Sequence, residues 1–82
     1  MSKNFGAREL QKCLRKLGFL LKKVDSKNHS HLKYYHKDGK TGRYPFFIIQ
    51  DGKKEYGRNS CERYIQELKY FGFSKKEIEK LL

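Results

Sequence analysis

Asn28-His29-Ser30-His31-Leu32-Lys33-Tyr34-Tyr35-His36 holds every histidine of the chain, with a lysine and two of its six tyrosines. Polar and apolar positions alternate, and Lys37-Asp38-Gly39-Lys40 follows. The stretch reads as a strand entering a hairpin turn. Alternate residues of a strand share a face. His29, His31, Lys33 and Tyr35 are therefore expected on one side, and Ser30, Leu32, Tyr34 and His36 on the other. The second set offers Leu32 and Tyr34 to a core. The first sets imidazole, ammonium and phenol in a row.

Upstream, Phe19-Leu20-Leu21-Lys22-Lys23-Val24 reads as a preceding strand, with Asp25-Ser26-Lys27-Asn28 supplying turn residues. Downstream, a third strand is expected over residues 42–50. Pro45 cannot donate to a ladder, so this strand lies at an edge or carries a bulge there. Its run is apolar on both parities, which predicts that part of it is covered on both faces. Asp51-Gly52-Lys53-Lys54 is a further turn and Gly57 a further break.

Helical spacing flanks the strands. Ala7, Leu10, Leu14 and Leu17, with Cys13 beside them, predict a helix over residues 6–17. Gly6 with Glu9, or Asn4, caps it, and Gly18 ends it. Asn59 and Glu62 fit a capping box ahead of Cys61, Tyr64, Ile65, Leu68 and Phe71. Gly72 closes that helix. Ser74 and Glu77 fit a second box, opening a short helix with Ile78, Leu81 and Leu82. Tight turns make the strands an antiparallel meander. The expected fold is α+β, in the order α-β-β-β-α-α, with the main helices on one face of a three-stranded sheet. The other face is left open to solvent or a ligand. Double-stranded-RNA-binding domains share this layout.

Eighty-two residues form one domain, residues 1–82, with a modest core. The net charge is +11, from 15 lysines and 5 arginines against 9 acids. That balance argues against an enzyme of neutral small molecules and for a polyanion partner. Cys13 and Cys61 lack CxxC spacing, so free cytoplasmic thiols are expected and a zinc ribbon or disulfide framework is not. No targeting segment and no membrane-spanning run is visible.

Several short motifs, in order, resemble the HicA toxin family of small messenger-RNA interferases. Leu17-Gly18-Phe19 resembles the end of the family's first helix. Ser30-His31-Leu32-Lys33-Tyr34 resembles its second-strand motif, with His31 at the catalytic position and His29 where the family carries glycine. Pro45 in the third strand and Phe71-Gly72-Phe73-Ser74 after the second main helix also match. The likeness spans residues 9–82. It implies a fold like that of a double-stranded-RNA-binding domain, metal-independent cleavage of RNA, no cofactor, and a HicB-like antitoxin partner that covers the active face.

The chemistry fits these residue types. RNA is cleaved when its 2′-hydroxyl attacks the adjacent phosphate. Histidine moves protons near neutral pH without a metal. Lys33, on the same face as His31, would stabilise phosphate charge, and Tyr35 would stack a base. Lys22, Lys23, Lys27, His29, Lys33, Tyr35, Lys40 and Arg43 are the candidate RNA contacts. His29 and His31 also form a His-x-His pair, yet no third zinc ligand is evident, so no metal is assigned. His36, on the opposite parity, is read as structural or as a phosphate contact. Tyr44, Phe46 and Phe47 are assigned to the core or to an interface. Two other readings remain open: a basic RNA- or DNA-binding module without catalysis, and a partner-binding protein that uses the edge of the third strand.

Overall fold

The computed structural model describes residues 4–24 and 31–82. Helix α1 spans Ala7–Lys16, followed by strands β1 Phe19–Val24, β2 His31–His36 and β3 Phe47–Gln50. Helix α2 spans Arg58–Tyr70 and α3 spans Lys75–Leu81. The strands form one antiparallel sheet in the order β1-β2-β3. The architecture is the expected α+β order.

Alternation along β2 decides which side the helices cover. Leu32, Tyr34 and His36 are buried, whereas His31, Lys33 and Tyr35 are exposed. In β3, Phe47 and Ile49 are buried and Ile48 is 53 % exposed. The expectation of a third strand covered on both faces is thus corrected, because the helices pack on one face only. Register keeps the two sets apart. Phe19 pairs with His36, and Leu32 with Ile49, on the covered side; Leu20 pairs with Tyr35, and Lys33 with Ile48, on the open side. A bulge in β1 between Leu21 and Lys23 shifts the register there.

β3 is also shorter than the expected 42–50. Pro45 offers no N–H to a ladder. Gly42 lies against α2, where an added Cβ would sit 2.8 Å from a ring carbon of Phe71. Arg43 reaches Glu67 at 3.9 Å. Residues 42–46 are drawn toward α2 and bend, so the β2–β3 connection is a ten-residue excursion over residues 37–46 and not a tight turn.

Local chemistry sets the helix ends. Gly6 caps α1, and the Glu9 carboxylate accepts from the Gly6 N–H at 3.2 Å. Gly18 follows α1 at φ +98°, a conformation that side chains resist. The expected Asn59 cap is not used. α2 starts two residues earlier behind Gly57, and Glu62 pairs with Arg58 at 3.4 Å on the surface. Ser74 caps α3 as expected, its Oγ accepting from the Glu77 N–H at 3.1 Å.

The expected core residues Leu10, Leu14, Leu17, Leu32, Ile65, Leu68 and Phe71 are all buried. Phe19 sits among Phe47, Phe71 and Phe73, with ring centroids 5.1–6.0 Å away. The N-terminal segment is laced to the stretch after β3, with Ala7 N–H donating to Lys53 O at 2.9 Å and Tyr56 N–H to Phe5 O at 2.8 Å. Cys13 and Cys61 are buried free thiols. Burial pushes the Cys13 thiol up to about 11, against an opposing pull from Lys16.

Candidate nucleic-acid interface

The open sheet face is built by β2 in its centre. His31 opens the strand opposite Gln50 of β3, Lys33 stands opposite Ile48, and Tyr35 opposite Leu20 of β1. All three β2 residues are exposed. No Asp or Glu occurs in any of the three strands. The face therefore presents cations and rings with no strand carboxylate to neutralise them.

Lys22 joins Lys33 through a ring that neither strand contains. The Lys22 ammonium lies 4.4 Å from the centroid of Phe46, and that of Lys33 lies 5.0 Å from it. Such contacts hold lysine heads over an aromatic face with modest energy when exposed to water. Phe46 immediately precedes β3 and is half-buried. Beyond it, a cleft of about 450 Å³ runs from Lys33, Phe46 and Ile48 past Tyr44 to Arg63 and Glu67 on α2.

The platform is braced from the covered side. The Tyr34 hydroxyl donates to Gln11 Oε1 at 3.2 Å, and Gln11 Nε2 donates to Asp51 Oδ1 at 3.3 Å. This chain ties the middle of β2 to α1 and to the residue after β3. Burial raises the Tyr34 phenol above its ordinary value, with Arg15 opposing. A central strand paired at both edges and braced on its covered face positions its exposed side chains more tightly than a loop would.

The other candidates fall elsewhere. Lys40 lies 5.8 Å from the ring of Phe73, which packs on Phe19 and His36 of the covered layer. Arg43 pairs with Glu67 and stacks its guanidinium 5.6 Å from Tyr70 and 6.0 Å from Tyr44. Lys40 thus reaches a ring of the covered layer, whereas Arg43 contacts Tyr44 and Glu67, which line the cleft shared with Lys33. The Lys23 backbone pairs with Lys33. Lys27 and His29 lie outside the described residues.

His36 is structural. Its Nδ1 accepts from the Asp38 N–H at 3.1 Å, so that atom carries no proton. Nε2 then donates to Leu17 O at 2.9 Å. Gly18 makes room for this bond, since a Cβ there would lie 3.0 Å from Nε2. Among the described residues no group of three or more His, Cys, Asp or Glu could hold a metal ion. No described helix is long and apolar enough to cross a membrane.

Two residues near this face were not among the expected contacts: Phe46, assigned to the core or to an interface, and Ile48, read only as part of the third strand. Their signal was present: 46, 48 and 50 share one parity and 47 and 49 the other, with Gln50 polar. Tyr44, also assigned to a core or interface, is 62 % exposed, while Phe47 is in the core. Compared with protein-family models, curated proteins and solved structures, the chain matches none.

Proposed function

We propose that this protein is a cytoplasmic RNA-binding endoribonuclease of the messenger-RNA interferase kind, with His31 as general acid or base in metal-independent cleavage. The observation that carries the reading is the open sheet face itself: His31, Lys33 and Tyr35 in a row on a strand without carboxylates, in a chain of net charge +11. The resemblance of Ser30-His31-Leu32-Lys33-Tyr34 to the HicA motif adds the assignment of His31. It also implies a HicB-like antitoxin that would cover this face.

In this mechanism His31 takes the proton of a ribose 2′-hydroxyl, or delivers one to the leaving oxygen. Lys33 offsets the charge that develops on the phosphate. A second reading, RNA binding without catalysis, draws on the same charge. It is favoured by the Lys22 and Lys33 ammonium groups set over the Phe46 ring, an arrangement that suits nucleic-acid binding and needs no proton transfer.

The test uses labelled RNA, the wild-type protein and His31→Ala. The variant should keep its melting temperature, because His31 is exposed. Cleavage should fall at least about 10²-fold, persist in a chelator, and stop at a nucleotide lacking its 2′-hydroxyl. Undiminished cleavage by His31→Ala overturns the assignment. Salt-sensitive binding with no cleavage by either form selects the binding-module reading.

A further inference from the structure

We infer that Phe46, together with Tyr35, forms a nucleobase-stacking subsite on the open sheet face, which directs the protein to single-stranded RNA and against duplex. The inference rests on the RNA reading above and deepens it.

The argument begins with what Phe46 does not do. The adjacent Phe47 fills the core, between Phe19, Phe71 and Tyr64. Phe46 turns instead to the opposite side, where Lys22 and Lys33 place their ammonium groups over its ring. Tyr35 is exposed on the same face, one residue beyond the Tyr34–Phe47 pair. Leu20 and Ile48, both exposed, flank these rings. An apolar, aromatic surface interleaved with lysines and free of strand carboxylates suits a ligand that is planar and anionic at once. Single-stranded nucleic acid has that chemistry, with a π-face on each base and a charge on each linkage.

The lysine contacts show how the subsite would fill. Each ammonium hovers over the ring in water, a weaker contact than base–aromatic stacking. A base arriving on Phe46 displaces the lysine heads, and their stems let them swing to the flanking phosphates. The cleft beside Phe46 and Ile48, about 450 Å³, provides room for a base turned out of a stack. In a duplex the bases are stacked on one another, and their faces cannot reach the ring. Duplex binding then keeps only the phosphate contribution.

The experiment measures affinity for a single-stranded oligoribonucleotide and for its duplex, across a salt series, with wild type, Phe46→Leu, Phe46→Trp and Lys22→Ala. Phe46→Leu keeps apolar bulk and removes the ring. It should weaken single-strand binding about tenfold, leave duplex binding and the salt slope unchanged, and keep the wild-type melting temperature. Phe46→Trp should restore single-strand affinity. Lys22→Ala should weaken both ligands alike and reduce the salt slope by about one counterion. Equal loss for both ligands in Phe46→Leu, or no loss, overturns the subsite while the RNA reading stands. Failure of the wild type to bind either RNA overturns both. Capture of an acidic protein in place of RNA, sensitive to Phe46→Leu, assigns the face to a protein partner and also overturns the subsite.

Discussion

His31 and His36 begin and end the same six-residue strand. His36 faces the helices, buried between the rings of Phe19 and Phe73, with both nitrogens bonded to backbone. His31 faces the open side, opposite Gln50 and two residues from Lys33. An odd separation on a strand places two residues on opposite faces. One histidine is thereby spent on joining α1, β2 and the turn at Asp38, while its neighbour stays accessible to a ligand. Residue type alone does not separate these roles; parity does.

The largest effect that tests this contrast lies in the covered layer. Leu14 is fully buried and Ile48 is half-exposed on the open face. Leu14→Ala should destabilise the protein by about 2–5 kcal/mol in denaturant unfolding, a large part of a small domain's stability. Ile48→Ala should stay within about 0.5 kcal/mol. Equal costs would mean that the two faces are not distinct layers.

The histidine pair should split in the same manner. His36→Ala leaves the buried Leu17 carbonyl without its donor and opens space beside Phe19, and it should cost about 1–3 kcal/mol. His31→Ala should leave the unfolding midpoint unchanged, as the cleavage test also requires. A His31 variant as destabilised as the His36 variant would remove the distinction drawn here.

A smaller effect appears at alkaline pH. The Cys13 thiol ionises near 9.0 in an ordinary setting and only at about 11 in the fold. Between these values the unfolded chain releases its proton first, so stability is full below 9.0 and falls as pH rises toward 11. The buried Tyr34 and Tyr56 phenols, raised by desolvation, act with the same sign. Melting temperature should decline through this window. Thiol labelling of native protein at neutral pH should be slow, becoming fast only in denaturant.

Much of this architecture was legible. The helical stripe Leu10, Leu14, Leu17 and the alternation of Leu32, Tyr34 and His36 report burial directly, because each period matches a face of its element. Ser74 and Gly18 mark helix ends through local chemistry. The misjudged elements involve partners distant in sequence. Asn59 has the right type for a cap, yet α2 begins behind Gly57. The run 42–50 has strand composition, yet Gly42 packs on Phe71 and Arg43 reaches Glu67, so only residues 47–50 pair with β2.

The sequence by itself determined the order of elements, the open face bearing His31, Lys33 and Tyr35, and the positive field around it, since these follow from periodicity and formal charge. Only the tertiary structure decided that Lys22 and Lys33 converge on Phe46, that Lys40 lies at Phe73, and that Arg43 meets Tyr44 and Glu67 at the far end of the cleft. It likewise decided that His36 bonds Leu17 and Asp38. Those relations depend on the register between strands and on where a ten-residue connection crosses α2, and neither quantity is encoded in local spacing.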